Sequence, residues 1–97
     1  MQAVIIPIAE RHLQYASGIE SRLAESGIRV HTDGRNERMN AKIRDTQLQK
    51  VPFMLIVGDQ EIDKDAASVR LRSGENLGAL PVEEIILRIS TDVEMRT

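Results

Sequence analysis

The stretch "PFMLIVG", residues 52–58, is the most apolar segment of the chain, and it decides how the rest can be arranged. Five apolar residues follow Pro52 without a polar interruption, which is typical of a strand buried on both faces of a sheet. A second run of this kind, "AVIIPIA" at residues 3–9, predicts a first strand. We therefore expect an α/β domain in which residues 52–58 form the central strand.

The segment between these two strands has two further patterns. Apolar residues recur at helical spacing before Gly27, which can end a helix in the left-handed conformation; they are Leu13, Ala16, Ile19 and Leu23. Residues 28–33, "IRVHTD", then alternate between apolar and polar, which predicts a second, more exposed strand. A second helix follows, and its apolar stripe is predicted to include Met39, Ile43, Gln47 and Leu48.

The C-terminal third of the chain is predicted to add a strand and a helix. "SVRLR", residues 68–72, alternates as a strand returning antiparallel would, and "SGENLGALP", residues 73–81, is predicted to be a loop. One more short strand, around Glu61 and Ile62, is an open alternative. The last helix begins at Pro81, with Val82, Ile85, Ile86 and Ile89 facing inward.

The predicted order is therefore β-α-β-α-β-β-α. Two right-handed crossovers place the first strand between the second and third, with the antiparallel strand next to the third. We expect a single domain over residues 1–97, with its core at about 3–90 and fraying after Thr91.

The composition excludes several classes of protein. Hydrophobic residues make up 41% and charged residues 29% of the 97, and no apolar run approaches the roughly 20 residues of a membrane-spanning helix. The N-terminus has no basic segment before its short apolar run, so we expect a cytoplasmic protein. Cysteine is absent, and the two histidines, His12 and His31, are predicted to lie at or near the surface. Neither a metal site nor a membrane partner is expected.

Positive charge is concentrated in one segment of a chain whose net charge is −2. Residues 29–50 contain six basic and three acidic side chains. Such a patch can attract phosphates, because screening removes the influence of more distant charges beyond about 8–10 Å. The alternative is a solvated helix face.

The sequence has no glycine-rich phosphate loop and no recognisable catalytic constellation. What remains is the crevice expected at the carboxyl ends of the parallel strands. Residues 33–36 and 58–61 lead out of two of these strands, and Arg70 and Arg72 lie on the returning strand. Amide, carboxylate and guanidinium groups can read the edges of unstacked bases, although an ordinary salt-bridged surface would have the same residues. Phe53 is predicted to be core, so we expect no aromatic stacking platform.

Two long segments resemble a known family. "ESGIRVHTDGRNERMNAKIRDTQLQKVPFMLIVGDQE", residues 25–61, and "SVRLRSGENLGALPVEEII", residues 68–86, closely resemble the C-terminal anticodon-binding domain of threonyl-tRNA synthetases, which are class II enzymes. The related domains of prolyl, glycyl and histidyl synthetases share the strand and helix order. "RNE", "KIR" and "VR.R.G..LG" in one register favour the threonyl family.

The resemblance implies a three-layer fold, with a mixed, mostly parallel five-stranded sheet flanked by three helices. It also implies binding to the anticodon loop of threonine tRNA, whose anticodons carry G-U at their second and third positions. In that family the residues that approach these bases correspond to Asn36, Glu61 and Arg70. Basic residues that would contact the RNA backbone or flanking nucleotides are Arg38, Lys42, Arg44, Lys50 and Arg72.

The resemblance places the chemistry outside this chain. A full-length synthetase of this family uses ATP, magnesium and zinc, whereas the domain itself is expected to need no cofactor and to have no catalytic residues. Its expected partners are threonine tRNA and the catalytic domain of its parent enzyme, and alone it is expected to be monomeric. The chain is expected to be an excised domain; the alternative is a free-standing relative that acts as a protein-interaction or accessory subunit.

Overall fold

The computed structural model describes residues 2–35 and 37–96, with side chains described up to residue 91. A 3-10 turn, Glu10–His12, precedes the first of four helices, which are α1 (Leu13–Glu25), α2 (Met39–Leu48), α3 (Asp59–Asp63) and α4 (Val82–Arg96). The five strands are β1 (Ala3–Pro7), β2 (Val30–Thr32), β3 (Phe53–Val57), β4 (Ala66–Leu71) and β5 (Asn76–Pro81). The last helix thus continues past Thr91, the residue after which the sequence predicts fraying.

All five strands form one mixed sheet in the order β2-β1-β3-β4-β5. β1 is parallel to both β2 and β3, whereas β4 is antiparallel to β3 and β5 is antiparallel to β4. The predicted position of the first strand, between the second and the third, is confirmed. The carboxyl ends of the three parallel strands consequently lie at one edge of the sheet.

Two predictions about the later part of the chain are wrong. The expected loop at residues 73–81 contains β5, and the optional strand around Glu61 lies in helix α3. The glycines explain the first error. Gly74 and Gly78 have φ angles of 96° and 79°. Gly74 lies in the turn between β4 and β5, and Gly78 lies at an irregularity in the pairing of these strands. Glycine and asparagine therefore lie inside this strand, where the sequence pattern alone indicates a loop.

The sheet is covered on both faces, which gives three layers. On one face α1 and α4 pack over a core that includes Ile5, Ile19, Leu23, Leu55, Val69, Ile85 and Ile89. On the other face α2 packs over a smaller core of Val4, Ile6, Val51 and Met54, with Met39, Ile43 and Ile56 at its margin. The alternation of side chains along β1 and β3 sends neighbouring residues to opposite cores.

The inner face of α2 differs from the predicted stripe. Met39 and Ile43 do pack inward, but Gln47 and Leu48 are exposed and the helix buries Lys42 and Thr46 instead. Thr46 can be buried because its hydroxyl donates to the carbonyl oxygen of Lys42 at 2.8 Å. In the part of the chain that the structure describes, no helix is long and apolar enough to cross a membrane.

We expect Leu55→Ala to lower the free energy of unfolding by about 2–5 kcal/mol, because Leu55 is fully buried in the larger core and the change leaves a cavity. Leu48→Ala is the matched control, since 74% of the Leu48 side chain is exposed and its loss should change stability by less than about 0.5 kcal/mol. Urea unfolding of both variants measures the difference. Equal losses would contradict the assignment of β3 to the centre of the fold.

Candidate functional site

A crevice runs along the carboxyl ends of β1, β2 and β3, and Ile8 divides it into two pockets. Ile8 directly follows β1, and 56% of its side chain is exposed. The larger pocket, of about 330 Å³, lies towards β2 and α2 and includes Glu10, Gly34, Arg35, Glu37 and Lys42. The smaller pocket, of about 230 Å³, lies towards β4 and includes Ile56, Glu61, Ser68, Arg70 and Asn76.

Glu61 and Arg70 are brought together in the smaller pocket, although they are nine positions apart in the sequence. Glu61 lies on α3 and is only 9% exposed, and its Oε2 accepts a hydrogen bond from the Ser68 hydroxyl at 3.1 Å. Arg70 lies two residues beyond Ser68 on β4, so both side chains leave the same face of the sheet. No ion pair joins Arg70 to a carboxylate among the described side chains.

Gly58 allows the Glu61 carboxylate to lie close to the backbone at the end of β3. A Cβ atom at position 58 would lie 3.1 Å from Glu61 Oε1 and 2.5 Å from Ile8 Cδ1. Gly58 leaves room for the ends of both flexible side chains, which would have to shift if position 58 carried a Cβ atom. It places an acidic and an apolar group side by side at the mouth of the crevice.

The loop after β2 is held by a cluster of charges. Arg35 donates to both carboxylate oxygens of Asp33 at 2.9 Å, and it also pairs with Asp45 of α2 at 3.0 Å. The hydrogen bond from the Arg35 side chain holds the pKa of the Asp33 carboxyl below its usual value, against the opposing effect of burial. Arg35 therefore fixes the loop, and its positive charge is already paired with two carboxylates. Asn36, the next residue, lies outside the described residues.

Lys42 is not on the exposed face of α2, where the sequence predicts it. Its side chain is 5% exposed, and its ammonium group donates to the carbonyl oxygen of Asp33 at 3.1 Å. The helical position of Lys42, on the inward side between Met39 and Thr46, explains the burial. Lys42 ties α2 to the loop after β2, and a contact between Lys42 and RNA stays a prediction.

The remaining basic residues lie at two different ends of the sheet. Arg38 occupies the N-cap position of α2 beside the crevice, without a side-chain capping hydrogen bond, and Arg44 is exposed on the same helix. Lys50 follows the other end of α2. Arg72 also lies at that far end, because its backbone N–H donates to the carbonyl oxygen of Pro52 at the start of β3. The prediction that Arg72 lies beside the crevice is therefore wrong.

Arg72 instead borders a groove of about 850 Å³ between the sheet and α4. The lining of this groove is mostly apolar and includes Pro52, Phe53, Leu71, Leu77 and Leu87. Phe53 is otherwise buried in the larger core, as the sequence predicts. The groove and the crevice lie at opposite ends of β3.

His12 is buried, although the sequence predicts it at or near the surface. Its ring is 2% exposed and is bonded to Asp59, 47 residues away. Sequence pattern has no signal for such a contact, since it depends on the pairing of β1 with β3. Ser68, in contrast, has a signal: it precedes Arg70 by two residues on an alternating strand.

Metal binding has no support in the described residues, where no group of three or more histidine, aspartate or glutamate side chains could hold an ion. The side chains of the crevice can instead accept and donate hydrogen bonds. Carboxylate, hydroxyl and guanidinium groups lie beside an exposed apolar side chain, which suits a flat ligand with polar edges.

Comparison with known proteins identifies relatives of the whole chain. A family model described as an anticodon binding domain matches residues 2–92. The chain is 46% identical over 97 residues to the threonine–tRNA ligase of Acidobacterium capsulatum and 47% identical over 93 residues to that of Natranaerobius thermophilus. These alignments cover 100% and 96% of the chain but only 14% and 15% of the two relatives.

A solved structure has the same fold. The RNA binding domain of threonyl-tRNA synthetase from Cryptosporidium parvum Iowa II superposes with a TM-score of 0.86 and 29% identity. The superposition covers 93% of this chain and 23% of the other. The five-stranded sheet flanked by helices is therefore the fold that the resemblance implies.

We expect Asp33→Asn to flatten the acid dependence of stability. The unfolded chain takes up a proton at Asp33 near the ordinary pKa of 3.8, whereas the folded chain resists it to lower pH, so wild-type stability falls as the pH drops below about 4. Asp33→Asn has no carboxyl group at this position, so this part of the fall in stability should be absent. Urea unfolding between pH 5 and about pH 2.5 measures it, with Asp63→Asn, an exposed site on α3, as the control. An unchanged slope in Asp33→Asn would contradict the role of Arg35.

Proposed function

Since the chain belongs to the anticodon binding domain family, we propose that it binds the anticodon loop of threonine tRNA for a threonine–tRNA ligase. One observation carries this proposal. Glu61 and Arg70 line one pocket at the carboxyl ends of the parallel strands, beside the exposed Ile8. An acceptor, a donor and an apolar surface are what an unstacked base requires.

The two polar groups would read different parts of a base. The Glu61 carboxylate can accept from the N1–H and N2–H groups of a guanine, and the Arg70 guanidinium can donate to a base carbonyl oxygen. Ser68 occupies one lone pair of Glu61 Oε2 and so fixes the plane of the carboxylate. Ile8 offers an apolar surface on which the face of a base can pack. Asn36 is proposed as a third reader, on the resemblance alone.

Backbone contacts would come from the exposed basic residues near the crevice. Arg38 directly precedes α2, which begins at the crevice, Arg44 lies on α2, and both side chains are exposed. Phosphate contacts of this kind position an RNA without reading its sequence. Lys50 and Arg72 lie at the far end, so in this proposal they would contact only flanking nucleotides.

The chain spans about one seventh of the length of the ligases that it matches, so the complete reaction would belong to a longer protein. We propose that the anticodon contact lets such an enzyme ligate threonine only to its own tRNA. ATP, magnesium and zinc would bind outside this chain, and the catalytic domain would be its protein partner. A cytoplasmic location is part of the same proposal.

A protein-interaction role is the second candidate, and one observation favours it. The apolar groove between the sheet and α4 includes Leu87, whose side chain is largely exposed. Exposed apolar surface of this kind is typical of protein contacts. The groove lies away from the crevice, so the two roles are separable by mutation.

Glu61→Gln should weaken binding to an anticodon stem-loop carrying G-U by about 1–3 kcal/mol. The amide keeps one acceptor but turns a donor towards the N–H groups of the guanine. Fluorescence titration of wild type and variant should therefore show a loss for the G-U loop and little change for a loop with adenine in place of that guanine.

The matched control is Glu25→Gln, which removes the same charge at the exposed last residue of α1, at the end of the sheet opposite the crevice. It should leave both affinities unchanged. A loss of equal size for both RNAs in Glu61→Gln would show that Glu61 does not read the base.

Arg44→Ala should lower affinity for every stem-loop alike and reduce the salt dependence of binding. Removing one phosphate contact should flatten the slope of log K against log salt by about 0.7. Titration at four salt concentrations measures this slope, with Arg29→Ala, exposed at the opposite end of the sheet, as the control. Equal slopes for wild type and Arg44→Ala would contradict the phosphate contact.

A further inference from the structure

Glu61 lies on a helix that cannot hold itself in place. α3 has five residues, about one and a half turns, and an isolated helix of that length is not stable in water. Its N-cap is Gly58, which has no side chain to cap the first turn. The position of Glu61 therefore depends on tertiary contacts made by the residues around it.

Asp59, the first residue of α3, makes such contacts with the segment after β1. Its Oδ1 lies 2.7 Å from His12 Nε2, and its Oδ2 accepts from Arg11 at 2.7 Å. These contacts, with Arg11 contributing more than His12, hold the pKa of the Asp59 carboxyl well below its usual value. The carboxylate is therefore ionised and available as an acceptor at neutral pH.

The two partners of Asp59 are not equivalent. The side chains of Arg11 and Asp59 are 69% and 65% exposed, and an ion pair so exposed contributes little to stability. The ring of His12 is buried and cannot move freely. Its Nδ1 accepts from the Ala9 backbone N–H at 3.0 Å, so Nδ1 carries no proton and the Nε2–H group donates to Asp59.

Tyr15 of α1 makes a further contact beside the short helix. The Tyr15 hydroxyl lies 2.7 Å from the carbonyl oxygen of Ala66 and 3.3 Å from that of Glu61. One hydroxyl hydrogen cannot serve both acceptors fully, so the shorter contact, to β4, is the main one. Tyr15 thus fixes the start of β4 next to α3, whereas Asp59 fixes the start of α3.

We propose that His12, acting through Asp59, is a positioning residue that sets the place of the Glu61 carboxylate relative to Arg70. This inference rests on the proposed function and extends it to residues outside the pocket. Arg70 is held by the sheet, so a shift of α3 changes the spacing between the acceptor and the donor. That spacing decides which base edge fits, since hydrogen-bonded readout depends on geometry.

The test uses Asp59, because its exposed side chain can be replaced without opening a cavity. Asp59→Ala should reduce the ratio of affinities for the G-U stem-loop and its adenine variant by about fivefold to tenfold, as expected when one bidentate contact is misplaced. Asp59→Asn retains an oxygen that can accept from His12, and it should keep the ratio within about twofold of wild type. Arg11→Ala, the matched control, removes only the exposed ion pair. It should also keep the ratio of affinities within about twofold of wild type.

A double mutant separates positioning from general stability. In a Glu61→Gln background, Asp59→Ala should have little further effect on the ratio, because the group that it positions is already lost. An equal effect in both backgrounds would overturn the proposal. So would an Asp59→Ala variant that weakens binding to both RNAs alike.

Amide hydrogen exchange tests, without RNA, whether Asp59 holds α3 in place. The Ile62 N–H donates to the carbonyl oxygen of Gly58 at 3.0 Å in the first turn of α3. Asp59→Ala should speed exchange at Ile62 by at least about tenfold and leave Val69 in β4 unchanged. Unchanged exchange at Ile62 overturns the proposal. If wild type instead binds both RNAs equally, the proposed function fails, while the exchange result still shows whether Asp59 holds α3.

Discussion

The parallel pairing of β1 with β3 is the constraint on which the crevice depends. Five residue pairs, from Ala3 with Phe53 to Pro7 with Val57, bring the ends of two strands side by side although about fifty residues separate them. The segments that leave these strands then meet at one edge of the sheet. Ile8, Gly58 and the charged residues after them are neighbours for this reason. The antiparallel strand β4 then places Ser68 opposite Ile56 and Arg70 opposite Met54, and both side chains line the smaller pocket with Glu61.

The position of each basic residue in the fold, and not the density of basic residues in the sequence, decides which positive charges are exposed. Two of the cations in the basic segment are used inside the domain: Arg35 pairs with two aspartates, and Lys42 is buried against a loop carbonyl group. Arg38 and Arg44 remain at the surface. The basic segment thus has a structural part, which fixes the loop after β2, and an exposed part that is available to a polyanion. The chain, whose net charge is −2, therefore keeps fewer exposed cations near the crevice than the basic segment of its sequence suggests.

The two polar residues of the candidate site are held in place in different ways. Arg70 is fixed by strand pairing on both sides, so its backbone has little freedom. Glu61 lies on one and a half turns of helix and depends on side chains from the β1–α1 segment. Geometry at such a site is therefore set by residues that do not line the pocket, and substitutions at a distance can alter what the pocket reads.

The order of the long elements and the position of the first strand were predictable from the sequence, because burial on one or two faces imposes periods of about two or 3.6 residues on a chain. Glu61 and Arg70 were predictable as residues near the crevice, since strand ends in this topology mark it, and their role in binding stays a prediction. The strand at residues 76–81 was not predictable, because glycine and asparagine have the same sequence signal in a loop and in a bulged strand. The burial of Lys42 and of His12 was decided only by the tertiary structure. Each depends on a partner from another element, a carbonyl oxygen after β2 and a carboxylate after β3, and local sequence pattern holds no information about partners so distant along the chain.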